Sequence, residues 1–97
     1  MTPLPPTPEN LAFAKRIIWF EPPEQALAEP IRFLAYAYRY ADSEDIAILR
    51  SHYDDDALRH ALANVPPGII DARSWAYWHL ILNDLSPPPP MPTRTFA

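Results

Sequence analysis

The stretch EPIRFLAYAYRYA, residues 29–41, decides the fold. After Pro30 the apolar residues Ile31, Leu34, Tyr38 and Ala41 recur at helical spacing, with Phe33, Ala37 and Tyr40 alongside. A helix apolar around so much of its circumference belongs at the centre of a bundle.

Helix signals continue on both sides. Upstream, TPENLAFAKRIIWF (residues 7–20) opens with Thr7 as a cap, Pro8 in the first helical position and Glu9 near the positive end of the dipole. Leu11, Ala14 and Ile18, joined by Phe13 and Ile17, form its apolar side, and the EPPE that follows is expected to stop it at Phe20 or Glu21. PPEQALA, residues 22–28, reads as a single helical turn. Downstream, DSEDIAILRSHY (42–53) restarts with Ser43 as the expected cap, and Ile46, Leu49 and Tyr53 line one side. In DDDALRHALANV (54–65) Asp54 caps, Asp55 and Asp56 suit the first turn, and Leu58, Ala61, Leu62 and Val65 make a stripe that ends at the PPG of 66–68. The last helix lies in DARSWAYWHLILNDL (71–85), capped by Asp71 or Ser74. Trp75, Trp78, His79 and Leu82 share one of its faces, and Ala76, Leu80 and Ile81 another.

Composition supports the helical reading. Gly68 is the single glycine, so tight hairpins built on positive φ cannot dominate. The 14 prolines cluster between the apolar segments and at the two ends, where they punctuate the chain. The expected fold is therefore all-α: an irregular bundle of four to five short helices with a proline-rich extended tail. Residues 1–7 form a proline-rich N-terminal segment, 8–85 the helical domain and 86–97 the tail. The expected core holds Leu34, Tyr38, Leu49, Leu58, Leu62, Trp75, Trp78 and Leu82.

Charge and cysteine content narrow the function. A net charge of −4 with no basic stripe argues against direct binding of nucleic acid. The chain has no cysteine, which excludes disulfides, zinc–thiolate sites and thiol catalysis. The N-terminus lacks the basic and apolar regions of a signal peptide, and no apolar run approaches the ~20 residues that span a bilayer. A cytoplasmic protein without membrane contact is expected.

HYDDDALRH, residues 52–60, combines His52, Asp54, Asp55, Asp56 and His60, all possible metal ligands. The histidines are eight apart across an expected turn, whereas helical metal motifs place them at i and i+4. The aspartates have a sufficient role at a helix start, and His79 has no nucleophile beside it. A single glycine cannot build a P-loop or GxGxxG turn. No catalysis, cofactor or metal is expected.

Binding features are stronger. Asp42, Glu44, Asp45, Asp54, Asp55 and Asp56 are half of the chain's 12 acids, and as one patch they would steer a basic partner. The tail LSPPPPMPTRTFA (85–97) favours polyproline II, and Pro89, Pro92 and Arg94 fit the PxxPxR pattern of SH3-type ligands. Met91 and Phe96 add apolar anchors, so Met91, Arg94 and Phe96 are expected partner contacts. On this reading, truncation at Leu85 weakens partner binding and leaves the fold intact.

The pattern IIWFEPPEQALAEPIRFLAYAYRYADSEDIAILRSHYDDDALRHALANV, followed by IDARSWAYWHLIL, resembles a group of small helical bacterial proteins. They share an early W(F/D) element, an acidic helix start, a Y-x-x-x-x-L-x-x-A/V-L helix and R-x-W-x-x-W-x-L-I-L before a proline. The resemblance covers about residues 17–92. Such proteins are commonly encoded beside AbiEii-type nucleotidyltransferase toxins, which implies an antitoxin role and a nucleotidyltransferase toxin as partner. The longer proline-rich N-terminus of this chain departs from that layout. An alternative expectation is a structural module that homodimerises through surplus aromatics, Tyr36, Tyr38, Tyr40 and the tryptophans.

Overall fold

The computed structural model describes residues 1–93. Among them are six helices and no strand: α1 (Pro8–Ile17), α2 (Pro23–Ala28), α3 (Pro30–Tyr40), α4 (Ser43–His52), α5 (Asp55–Ala63) and α6 (Ala72–Asn83). The fold is all-α, and the segment read as a lone turn is the short α2.

Side-chain caps fix most of the starts. Thr7 Oγ1 accepts the Asn10 N–H at 3.2 Å, Asp54 the Ala57 N–H at 2.8 Å and Asp71 the Ser74 N–H at 2.8 Å. Each bond satisfies one of the amides that a helix start leaves unpaired. α4 differs by one residue from expectation, because Asp42 and not Ser43 is the cap. Asp42 accepts the Asp45 N–H at 2.9 Å, and Asp45 accepts the Asp42 N–H at 3.3 Å, a reciprocal capping box. α1 ends at Ile17, before the expected stop, and this leaves Trp19 and Phe20 in a turn.

α3 is central, packing against α1, α2, α5 and α6. Phe33 meets Phe13 of α1 edge to face, with centroids 5.2 Å apart. On the other side the Tyr38 hydroxyl donates to the Leu58 carbonyl at 2.7 Å, and the Trp78 indole N–H donates to the Tyr38 carbonyl at 3.0 Å. These bonds tie α5 and α6 to α3 and satisfy polar groups that burial would otherwise leave unpaired. Burial also pushes the Tyr38 phenol well above its ordinary pKa, so it remains a donor. All eight expected core residues are buried.

Both proline-rich ends lie against the domain. Leu4 is buried, the Tyr53 hydroxyl donates to the Thr2 carbonyl at 2.7 Å, and the Asn10 amide donates to the Pro5 carbonyl at 2.9 Å. At the other end the Trp75 indole N–H donates to the Pro89 carbonyl at 2.7 Å, and Met91 packs against the core. An indole N–H bonded to a proline carbonyl uses the outward-facing acceptor that an extended proline run leaves unpaired. No helix among the described residues is long and apolar enough to cross a membrane.

Candidate functional site

The six acids singled out in the sequence fall into two groups. Asp42, Glu44 and Asp45 stand at the start of α4, while Asp54, Asp55 and Asp56 follow its end. A ten-residue helix separates the groups by about 15 Å. Their charges are also partly answered. Asp45 is only 5% exposed and pairs with Arg16 of α1, besides closing the capping box. Asp55 pairs with Arg50 at 2.7 Å, and Asp56 with Arg59 at 2.9 Å. Asp42 and Glu44 remain exposed at one end, and Asp54 at the other. Met91 is half-buried against the protein's own core, and Arg94 and Phe96 fall outside the described residues.

His52 ends α4 and His60 lies on α5, both exposed. Among the described residues no three histidine or carboxylate side chains group closely enough to hold a metal ion.

His79 is buried in α6 beside Trp75, with ring centroids 4.2 Å apart at 68°. Its Nδ1 lies 3.2 Å from the Asn83 amide nitrogen, whereas Nε2 finds no hydrogen-bond partner among the described residues. With Asn83 donating to Nδ1, the neutral ring carries its proton on Nε2. Desolvation holds the His79 pKa below its ordinary value. Below pH ~6.5 the unfolded chain therefore binds more protons than the native one, and stability falls as the pH drops from there through the lower native pKa. His79→Leu should remove this acid-side loss. At neutral pH it should leave stability within about 1 kcal/mol of the parent, since relief of the unpartnered Nε2–H offsets loss of the Asn83 to Nδ1 hydrogen bond. Urea unfolding at pH 5 and pH 7.5 measures both; a variant as acid-sensitive as the parent contradicts the assignment.

The feature that sets this surface apart is aromatic. Trp19 is 63% exposed, Phe20 53% and Tyr40 43%, with Tyr36 half-buried beside them. Tyr36 and Tyr40 stand one turn apart on the outer side of α3, and the turn after α1 lays Trp19 and Phe20 over them. The rings form an edge-to-face chain: Tyr40 to Trp19 at 5.8 Å, Trp19 to Phe20 at 5.5 Å, and Phe20 to Tyr36 at 5.6 Å. Arg32 lies over Tyr36 at 5.3 Å and Arg39 over Tyr40 at 5.0 Å. Arg32 also pairs with Glu21, which raises the pKa of its guanidinium. The rings thus hold one another in place while leaving apolar area in water.

A second apolar face runs along α6 and just past its end, where Tyr77, Leu80, Ile81 and then Leu85 are each 44–50% exposed. Large apolar residues contiguous on a surface mark contact sites more often than singly scattered ones do. Sequence spacing placed Leu80 and Ile81 on the second face of the last helix. The sequence offered Trp19 among the surplus aromatics and, with Phe20, as the early W(F/D) element of the resemblance, but read neither as part of an exposed shelf.

Comparison with known proteins found no matching family model, no similar curated protein and no similar solved structure.

Proposed function

We propose that this chain is a non-catalytic, antitoxin-like protein of the cytoplasm that binds and neutralises a protein partner, a nucleotidyltransferase toxin. The observation that supports binding is the exposed aromatic shelf of Trp19, Phe20, Tyr36 and Tyr40. Aromatics and arginine are the residues that most often dominate the energy of protein interfaces, and this shelf carries both. The toxin as partner is supported by the resemblance of residues 17–92, whose early W(F/D) element coincides here with the exposed Trp19–Phe20 pair.

Size guides how the shelf is used. From the exposed fractions, and with about 200 Å² per ring, the three most exposed rings offer roughly 300 Å². A standard interface takes about 800 Å² from each partner. The shelf is then one part of a larger face, which the exposed residues of α6 extend. The exposed acids at the two ends of α4 steer the approach of a basic surface and contribute less to affinity.

A second reading is a homodimer through those of the surplus aromatics that stay at the surface, Trp19, Tyr36 and Tyr40; Tyr38, Trp75 and Trp78, counted with them in the sequence, are buried in the core and cannot take part. One experiment separates the two. The tagged chain is expressed in its native cells and recovered, and the retained proteins are identified and quantified. Recovery of a nucleotidyltransferase in stoichiometric yield, with relief of its toxicity on co-expression, supports the proposal. Recovery of the chain alone, with light scattering at twice the monomer mass, supports the homodimer and rejects the antitoxin reading.

A further inference from the structure

Between the shelf and the exposed face of α6 lies a cavity of about 400 Å³. Tyr38, Tyr77 and Trp78 line it together with Arg39, Asp71 and Arg73, and more of its lining is polar than apolar. This volume falls within the range of sites that take a small group.

Charge is not balanced there. Asp71 is committed twice, as the cap that accepts the Ser74 N–H at 2.8 Å and as the partner of Arg39 at 3.9 Å. Hydrogen bonds from Ser74 hold its carboxyl below the usual range, so it stays ionised. Of the first-turn amides of α6, the one of Ser74 is served by this cap. Arg39 also donates to the Ile69 carbonyl at 3.2 Å, which fixes its fork at the cavity edge. Arg73 makes no ion pair among the described residues, although it lines the same cavity. Two guanidiniums face one carboxylate, and the excess charge is Arg73.

Two lining residues also belong to the apolar faces. Arg39 lies over Tyr40 of the shelf. Tyr77 begins the exposed apolar run of α6. A charged centre between apolar flanks is the arrangement that reads one acidic residue set within apolar neighbours.

We propose that this cavity anchors the partner by taking an aspartate or glutamate carboxylate from an extended segment, whose neighbouring apolar side chains lie on the Trp19–Tyr40 shelf and on Tyr77. The inference rests on the reading that the chain binds a protein partner, and it adds the chemistry of what the partner supplies. Arg73 is the group that distinguishes the carboxylate from its amide, because a guanidinium–carboxylate pair is charge-assisted and can be bidentate. A single-stranded nucleic acid would also meet arginine and aromatic rings, but a net charge of −4 disfavours a polyanion.

The test is a nitrogen-15 NMR titration of the full chain with the blocked peptide acetyl-Ser-Leu-Glu-Phe-Ser-amide, its Gln counterpart and an eight-nucleotide oligothymidylate. The expected result is saturable shifts at Arg39, Arg73, Ser74 and the Trp19 indole. The glutamate peptide should bind at least about tenfold more tightly than the glutamine one. Arg73→Ala should reduce that preference to about twofold or less, whereas Arg50→Ala, outside the cavity, should keep it. Equal binding of the two peptides, shifts elsewhere, an unchanged preference in Arg73→Ala, tighter oligothymidylate binding, or no shift at about 10 mM peptide would each overturn the proposal. The two readings fail separately: if partner capture is lost in Trp19→Ser/Phe20→Ser but intact in Arg73→Ala, the binding function stands and the carboxylate anchor falls.

Discussion

Replacing Phe33 by alanine is expected to lower the unfolding free energy by about 3–5 kcal/mol, as large aromatic truncations in close-packed cores do. Phe33 is 1% exposed, stands in the central helix and meets Phe13 edge to face. Its removal leaves a cavity between α1 and α3 that neither helix can close freely. α1 is also tied to α4 by the Arg16–Asp45 pair. A domain of this size has about 5–15 kcal/mol of stability in total, so the variant should be marginal at room temperature. Urea unfolding followed by far-ultraviolet circular dichroism measures the loss. A decrease below about 1 kcal/mol, with the m-value unchanged, would mean that α1 does not pack on α3 as described.

Deleting residues 86–97 is expected to cost about 2–2.5 kcal/mol and to shift the emission of Trp75 to the red. The estimate joins one hydrogen bond, ~1 kcal/mol for Trp75 to Pro89, with the partial burial of Met91, ~1–1.5 kcal/mol. The sequence suggested that this truncation would spare the fold and affect partner binding alone. The described part of the tail instead makes its contacts within the chain, so stability should respond first. Trp75→Phe in the full chain isolates the hydrogen bond and should lose about 1 kcal/mol. If the truncated chain unfolds at the same urea midpoint as the parent, residues 86–93 contribute nothing to the fold.

The parts of this molecule that were legible in the sequence are those governed by local chemistry. Thr7, Asp54 and Asp71 announce helix starts because a cap acts on amides two or three residues away. The stripe of Leu58, Ala61 and Leu62, and the Trp75, Trp78, Leu82 face, announce burial because one helix face must be covered. Asp42 displaced Ser43 as the cap of α4 because Asp45 can answer it reciprocally, a choice that depends on two side chains together. What was not legible depends on distant residues. Asp45 looked like one more surface acid, yet Arg16, 29 positions earlier, draws it under cover. The acidic run looked continuous, yet the length of α4 divides it. Trp19 and Phe20 look like core material by hydropathy alone. Their exposure follows from where α1 stops and from a core already filled by Phe13, Ile17 and Ile18. The candidate binding face was only partly legible for that reason: the sequence counted Trp19, Tyr36 and Tyr40 as surplus together with Tyr38, Trp75 and Trp78, and only packing decides that the last three are core.

The measurement that tests the central claim most directly compares the parent with Trp19→Ser/Phe20→Ser for affinity toward the captured nucleotidyltransferase, by titration calorimetry, with urea unfolding of both proteins alongside. The rings are more than half exposed, so stability should change by about 1 kcal/mol or less, while binding should weaken at least about 100-fold. Unchanged affinity in a folded double variant would contradict the account and move the binding face elsewhere on the molecule.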